Sequence, residues 1–477
     1  MNSNDTSRRD FLKKAALVAG SFYIVPRHVL GKGFIAPSDK LNIAAVGCGG
    51  KADFNIKQAF NNGSDNIVAL CDVDDRQSVK YRAQFPKAPY FRDYRKMLEA
   101  EGKNFDAVIV TTPDHMHYPV AMAAMQLGKH VYVEKPLTHD LWEARQLTEG
   151  ARKYKVVTQM GNQGSSGDAT RLIEGWVQGG VLGDVHTVHV WTNRPVWPQG
   201  VRSPKDKGEK QPVPSEVDWD LWLGTAPYRD YHEAYMPFRW RGYWDFGTGA
   251  LGDMGCHFMD VPFRALKLGY PTSVECSVGQ VYLDFFREAY LDDSCPPSAS
   301  VHLKFPDKKG KEIALSWYEG GIRPQIPAEL KPEQIFTDQN GGILLIGTKG
   351  TLTGELFGNN PRVFVKGEVQ DSGKFPKPSK PFVEGKTDGH QQQWVKACKQ
   401  GYGTYTSSGF DESGPLTETV IMGNLAVRSY LHREPKTGGG FTFPGRKRLL
   451  WDGANQKITN FDYANQFVRR QYREGWT

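Results

Sequence analysis

Cysteine is scarce in this chain: six residues, at positions 48, 71, 256, 276, 295 and 398, in a length of 477, with no Cys-x-x-Cys. That spacing excludes a disulfide scaffold, and several of the six lie in apolar strand-like runs, where a free thiol behaves as a small hydrophobe. The one pair suited to a bridge in an oxidising compartment is Cys276 with Cys295. Basic charge is equally thin. The formal charge is +7, but residues 1–36 hold six Lys/Arg against two Asp/Glu, a net four of the seven, which leaves +3 for the rest. With no basic run interleaved with aromatics beyond that point, nucleic acid is not an expected partner. No internal repeat is apparent. What remains is an ordinary globular composition, 39% hydrophobic and 24% charged, long enough for two domains with substantial cores.

The N-terminus reads "SRRDFLKK" (Ser7 to Lys14) followed by "AALVAGSFYIVP". Paired arginines, a Phe-Leu and a short, modestly apolar stretch resemble a twin-arginine export signal. That stretch falls short of the roughly 20 residues a membrane-spanning helix needs, so no span is expected in the mature form. Residues 1–36 are read as the signal segment, with no Ala-x-Ala site to mark cleavage, and the expected location is the periplasm.

From residue 41 the pattern changes. "LNIAAVGCGG" is a continuous apolar run ending in glycines, as in a buried parallel strand, and "KADFNIKQAF" can continue it as a helix. The spacing Gly47-x-Gly49-x-x-Ala52 supplies a tight turn, a close backbone approach for a pyrophosphate, and a small residue where helix meets strand. A second strand, "NIVALCDVD", ends at Asp72, 20 residues beyond Ala52. A carboxylate there accepts from an adenosine ribose and repels a 2′-phosphate, so NAD rather than NADP is expected, with Arg76 as the one neighbour suited to a phosphate. Strands "FDAVIVTTP" and "HVYVEKP" flank the helical "DHMHYPVAMAAMQLGK", with Asp114 at a plausible N-cap. Strand and helix alternate as in a doubly wound Rossmann domain over 38–160. His115 and His117 diverge at a helix start with no third ligand nearby, so no metal is expected, and His117 takes a structural or cofactor-edge role.

In "GDMGCHFMD", helical spacing would bring Asp253, His257 and Asp260 to one face. Spacing alone fits a solvated acidic stripe equally well. Together with "VEKPLT", the Gly47 turn and "TTPDHMHYPVAMAAM", however, this stretch resembles the Gfo/Idh/MocA family of glucose-fructose oxidoreductases and inositol dehydrogenases, over nearly the whole mature chain. The resemblance implies a Rossmann domain followed by a C-terminal α/β domain on a large open sheet, acting on sugars or cyclitols with NAD(P). It places Gly47, Gly49, Ala52, Asp72, Thr112, Pro113, His117, Glu134 and Lys135 at the cofactor. It makes Lys135 the lysine beside the nicotinamide, Asp253 the acid and His257 the base. In that scheme His257 takes a hydroxyl proton, Asp253 one turn earlier fixes its ring, and Lys135 stabilises the alkoxide. Asp260 either binds a second hydroxyl or pairs with Arg264 at i+4.

After residue 160 come a helix in "ATRLIEGWVQGGVLG" and then strand-like segments without intervening helices, from "VHTVHVWTNRP" to "PRVFVKG". They suggest one mainly antiparallel open sheet in a domain over 161–434, with a helix over 250–268 laid upon it. In the family such a sheet often joins subunits, so a homo-oligomer is expected. Six of the 12 tryptophans fall between 191 and 244. Sugar rings stack on such flat faces. Trp197 and Trp240 are the substrate candidates, with Arg239, Asp260, Asn193, Arg194 and Asp245 as hydroxyl partners, whereas Trp219 and Trp222 fit loop packing. Helical segments around "HQQQWVKACKQG" and "TETVIMGNLAVRSYL" follow, and His390 has no assigned place. The tail, 435–477, is expected to pack across the domains.

These readings converge on an NAD-dependent oxidoreductase acting on a ring hydroxyl, such as C3, of a sugar or glycoside. An exported enzyme meets little free NAD, so tightly bound and recycled NAD is expected, loaded before folded export. The alternative is a glycosidase that cleaves by transient oxidation, elimination, hydration and re-reduction, outside the two-carboxylate scheme. A noncatalytic sugar sensor would need loss of the Lys135 and His257 pair, which is intact.

Overall fold

Six strands, β1 (Asn42–Val46), β2 (Asn66–Cys71), β3 (Tyr90–Phe91), β4 (Ala107–Val110), β5 (His130–Val133) and β6 (Thr158–Met160), pair in parallel in the order 3-2-1-4-5-6. This computed structural model describes residues 39–307 and 310–476. The twin-arginine pattern therefore lies outside the described residues. Helices α1 (Ala52–Phe60), α2 (Asp75–Gln84), α3 (Tyr94–Glu101), α4 (His117–Gln126) and α5 (Leu141–Tyr154) connect the strands. Every residue of β4 and the last four of β1 are buried, which is why these strands read as unbroken apolar runs. The strand order reverses between β1 and β4, and this opens a crevice at their C-terminal ends.

Asp114 is not the N-cap of α4. It lies inside a short 3-10 turn, and its carboxylate accepts instead from the Thr248 backbone N–H and hydroxyl, at 3.2 and 2.6 Å. That bond ties the first sheet to the next domain. The capping box expected of a strong helix start occurs at α5, where Asp140 and Glu143 each bond the other's backbone N–H.

After α6 (Asp168–Gln178) a second sheet follows. Its strands are β7 (Val185–Thr192), β8 (Ser273–Val278), β9 (Ala299–Pro306), β10 (Glu312–Tyr318), β11 (Gly341–Gly347), β12 (Thr351–Gly354), β13 (Arg362–Val365), β14 (Glu368–Val369), β15 (Leu449–Asp452) and β16 (Lys457–Ile458). They run in the order 14-13-12-11-7-10-9-8-15-16, antiparallel except where β7 lies parallel to β10. The expected single helix over 250–268 is two, α7 (Gly249–Phe258) and α8 (Asp260–Leu266).

Helix α9 (His390–Gln400) leaves this second layer and packs on α1, its Trp394 and Val395 sharing a core with Ile56 of α1 and with Ile43 and Tyr132 of the first sheet. The long α10 (Phe410–Leu431) lies on β8, α5 and α7. Gly255 of α7 explains its close fit: a Cβ there would meet a Val420 methyl of α10 at 2.9 Å. All six cysteines are free, and Cys276 and Cys295 form no bridge. Among the described residues no helix is long and apolar enough to cross a membrane.

Candidate active site

The crevice at the strand reversal deepens into a cavity of about 610 Å³ that runs from Asp72 and Tyr94 at one end to Lys135, His257 and Phe357 at the other. Its first half is built from backbone. Gly47 turns with φ +85°, and a Cβ at that position would sit 2.3 Å from the Thr111 carbonyl oxygen, so only glycine fits. No side chain caps α1; the Ala52 N–H reaches back to the Gly49 carbonyl at 3.0 Å. The helix N-terminus thus faces the turn with its positive dipole end, the arrangement that receives a phosphate.

Asp72 accepts from the Cys48 N–H at 2.7 Å and the Asp74 N–H at 2.9 Å, which fixes its carboxylate at the lip of β2. Each oxygen keeps a second lone pair for a ribose hydroxyl. Burial pushes the Asp72 carboxyl up to about 6. Arg76 is engaged by Asp74 through two 2.7 Å bonds, so its guanidinium is occupied rather than poised for a 2′-phosphate. The Thr112 hydroxyl, a cavity-lining group, is buried without a partner among the described residues. A turn that excludes a Cβ, an orphaned hydroxyl and a fixed carboxylate together fit a dinucleotide.

The second half is built from side chains. Glu134, at the end of β5, accepts from Asn55 at 2.9 Å and lies so close to Gly161 that a Cβ there would meet its Oε1 at 2.5 Å. The next residue, Lys135, donates from Nζ to both the backbone oxygen and Oδ1 of Asp253, each at 2.7 Å. Two of its three N–H groups are spent on Asp253, and the third is left for a ligand. Burial opposes charge on Asp253, but the Lys135 ammonium and the Arg241 guanidinium outweigh it and hold this carboxyl well below the usual range. Breaking such a buried pair by removing one partner costs on the order of 3–5 kcal/mol.

His257 stands one turn further along α7. Its Nδ1 donates to Asn162 Oδ1 at 2.7 Å, and the Asn162 amide is itself oriented by donating from Nδ2 to the Cys256 carbonyl at 2.8 Å. The tautomer is therefore set with the Nε2 lone pair free. Burial and the nearby Lys135 charge push the imidazole well below its ordinary pKa, which favours the neutral ring, and the Asp253 carboxylate works in the opposite direction.

The structure brings Lys135, Asp253 and His257 together with the cofactor-turn residues, but it changes several roles. Asp253 does not fix the His257 ring; it is committed to Lys135, and Asn162 orients the imidazole instead. Of the two roles open to Asp260, binding a hydroxyl is not seen, since it does not line the cavity, and the i+4 pair with Arg264 is, at 2.6 Å, with Ser165 on its other oxygen at 2.9 Å. Trp197 and Arg239 do not line the cavity; they line a neighbouring surface pocket that shares Met236, Pro237 and Phe238 with it, and the Trp197 N–H is spent on Gln199. Trp240 does line the cavity. His117 also lines it, but both ring nitrogens face carbonyl oxygens, of Pro136 at 2.7 Å and Thr112 at 2.9 Å, so it clamps two loops together. His115 points away and bridges the carbonyls of Trp222 and Phe246.

The other hydroxyl candidates are occupied elsewhere. Asp245 pairs with buried Arg229, and Asn193 accepts from Arg194 at 2.6 Å. His390 is fully buried between Ser166 and the Met160 carbonyl, where burial pushes it down to about 3. Trp219 and Trp222 stack with ring centres 4.7 Å apart as packing residues, although Trp222 also forms part of the cavity wall.

Three groups of the site escape the motif reading: Arg241 and Trp476 line the cavity, and Asn162 is fully buried against His257. Asn162 follows β6 at the C-terminal edge of the sheet, a position that marks ligand sites in doubly wound folds and would have flagged it. Arg241 lies at the reactive end with its guanidinium 4.4 Å over Trp240. Its Nε has no hydrogen-bond partner among the described residues, and its carboxylate neighbours, Asp114 and Asp253, are 3.6 and 3.7 Å away. Trp476 reaches the opposite end from the far C-terminus, which no local pattern announces.

Comparison with known proteins agrees with this geometry. A family model described as oxidoreductase family, NAD-binding Rossmann fold, matches residues 41–162, and its companion, the C-terminal alpha/beta domain, matches 167–282. A curated relative named glycosyl hydrolase family 109 protein 1, from Shewanella sp. strain ANA-3, is 29% identical over 203 residues, 37% of this chain and 44% of its own length. The uncharacterized oxidoreductase YdgJ of Escherichia coli K12 is 27% identical over 150 residues, 31% of this chain and 42% of its own. The match thus spans less than half the length of these relatives.

Among solved structures, aldose-aldose oxidoreductase from Caulobacter crescentus, complexed with glycerol, aligns with a TM-score of 0.54 at 17% identity, over 82% of this chain and 97% of that one. Levoglucosan dehydrogenase in complex with NADH gives 0.54 at 14%, over 81% and 97%. At such identities the likeness speaks for the fold. With both family domains matched in order and the cofactor turn in place, the chain belongs to the Gfo/Idh/MocA family of oxidoreductases, with an NAD-binding Rossmann domain at its N-terminal end.

Proposed function

We propose that the protein uses NAD to oxidise or reduce a ring hydroxyl, C3 for instance, of a sugar or glycoside. The observation that carries this is the meeting, in the cavity that holds the Gly47 turn, of an imidazole with a free Nε2 and an ammonium with one unspent N–H. Bound NAD supplies the hydride acceptor. His257 takes the hydroxyl proton at Nε2, and Lys135 steadies the oxygen as negative charge develops on it. Asp253 balances the ammonium throughout and favours the imidazolium once the proton has moved. Arg241 offers unspent N–H groups to further hydroxyls, and Trp240 and Trp222 supply flat apolar wall. In the reductive direction the same groups act in reverse.

A second reading, glycoside cleavage by transient oxidation, is favoured by the name of the curated relatives. Oxidation at C3 would acidify the neighbouring C–H, the aglycone oxygen would leave from C1, water would add, and the ketone would be reduced again. His257 and Lys135 would serve the first and last steps. Incubating the protein and its bound cofactor with p-nitrophenyl glycosides and free sugars separates the two. Mass spectrometry should find a ketosugar two mass units lighter than substrate; released aglycone with no net oxidation would instead assign the cleavage route.

We also take the Arg8 and Arg9 pair as an export signal that sends the folded, NAD-loaded protein to the periplasm. Lysine at both positions should hold it in the cytoplasm, and undiminished export of that variant would remove the assignment. Association through the open face of the second sheet is the oligomer we expect. Sedimentation as a monomer at micromolar concentration would contradict it.

A further inference from the structure

The cavity continues past Asp72, away from Lys135 and His257, to an end lined by Gln77, Arg92, Asp93, Tyr94 and Trp476. If the glycine turn receives the pyrophosphate and the reactive pair receives the nicotinamide, the adenine falls at this end. Four of these residues come from α2, the end of β3 and the start of α3, inside the Rossmann domain. Trp476 is the last described residue of the chain and arrives from nearly 400 positions away.

Chain termini fray unless something ties them down. This one is tied at every few residues. The Trp142 N–H donates to the Val468 carbonyl at 3.0 Å, which lays the tail along the start of α5. Arg470 then enters a buried cluster, donating to Glu143 at 2.7 Å and to the His115 carbonyl at 2.6 Å, and the Tyr472 hydroxyl donates to the same Glu143 oxygen at 2.5 Å. The Arg473 N–H donates to the Thr225 carbonyl at 3.1 Å, and its side chain reaches the carbonyls of Gly224 and Asp220 at 3.1 and 2.8 Å. From that anchor the chain turns at Gly475, φ +82°, and the Trp476 N–H returns to the Arg473 carbonyl at 3.2 Å. The indole ends 4.3 Å beneath the Arg95 guanidinium, which Asp93 holds by a bidentate pair.

We propose that Trp476 packs on the adenine of the bound dinucleotide, and that the anchored C-terminal segment thereby holds the cofactor in its site. This rests on the dinucleotide reading of the cavity and adds a contact that the Rossmann pattern does not contain. A flat π surface, preset by the Arg95 stack and by the anchored segment that precedes it, meets a nucleobase with little ordering cost. The consequence is slow release, which suits a cofactor recycled in place.

The test compares the full chain with Trp476→Ala, Trp476→Phe and Arg95→Gln, each matched for thermal unfolding. It reads the rate at which prebound NADH is lost on a chase with excess NAD, and the affinity for reduced nicotinamide mononucleotide, which has no adenosine. Trp476→Ala should speed NADH release about tenfold and leave the mononucleotide unchanged, as expected for loss of one base–aromatic contact. Trp476→Phe should restore most of the retention, and Arg95→Gln should speed release by a few-fold. NADH release indifferent to Trp476, or equal weakening of NADH and the mononucleotide, would overturn the proposal while leaving the dinucleotide reading standing. A wild-type chain that takes up no NADH would overturn both.

Discussion

The two halves of the cavity are made of different material. At the cofactor turn the surface is main chain: Gly47 excludes even a Cβ, α1 presents its N-terminus, and Asp72 is held by two backbone N–H groups. At the reactive end the surface is side chains, Lys135, Arg241 and His257 from the β5 exit, a 3-10 turn and α7, backed by the buried Asp253 and Asn162 that hold two of them. A backbone surface tolerates little substitution because there is no rotamer to give way. A side-chain surface can be changed one group at a time with the fold intact, so each residue there answers for a separable part of the chemistry.

The largest expected effects test that separation. His257→Ala should lower turnover by about 10³-fold, within the usual range for a general base, while the amount of NAD bound per chain stays unchanged. Loss of NAD from this variant would show that the two surfaces are coupled. The converse change is Gly47→Ala. Its methyl would press into the Thr111 carbonyl at a positive φ, and both strain and clash act on main chain. NAD affinity should fall by roughly 10²-fold, with destabilisation of about 2 kcal/mol or more in thermal unfolding. A variant with normal NAD affinity would mean that the turn does not carry the pyrophosphate.

The same division explains what could be read from the sequence. Backbone sites follow from local pattern: a strand, a glycine with positive φ and a helix start lie within eleven residues, from Asn42 to Ala52, and the pattern located them. Lys135 and His257 were legible because each belongs to a short motif. Partners were not. Which oxygen His257 Nδ1 meets depends on how α7 packs against the β6 exit, some 95 residues away in sequence. Asp253 lies only four residues from His257, and the ring nevertheless turns to Asn162, since the more strongly charged Lys135 claims the carboxylate. Asp260 shows the opposite limit. Of its two expected roles the structure shows the second, the i+4 pair with Arg264 within α8, with Ser165 on its other oxygen, and spacing alone did not choose between them. Trp197 fails because its ring packs edge-on against Phe238 and its N–H is spent on Gln199, partners that the run of tryptophans does not reveal.

Asn162 offers a finer probe of the side-chain half. Asn162→Leu keeps the volume but leaves Nδ1–H unanswered and frees the ring to take the other tautomer. Turnover should drop by about 10- to 100-fold, less than for His257→Ala, with NAD binding intact. The pH dependence of turnover should also change shape, since a ring no longer held in one tautomer titrates differently; an altered rate with an unaltered profile would reduce Asn162 to a packing role.

The smallest effect concerns the one carboxylate on the backbone half that titrates near neutrality. Burial raises the Asp72 carboxyl to about 6, above its unfolded value, so the folded chain holds this proton more readily than the unfolded chain. The sign follows: the contribution of this group to folding is fully present below the unfolded pKa and is lost as pH rises through about 6. Ribose hydroxyls need the ionised acceptor, so NAD binding moves the other way. Between pH 7.5 and 5 the affinity should weaken by roughly threefold to tenfold as the carboxylate takes up its proton. The weakening should appear as a rise in the KM for NAD, with turnover at saturating NAD changed less. Asp72→Asn should bind NAD weakly at every pH and lose the slope; if the slope survives the substitution, the titrating group lies elsewhere in the cavity.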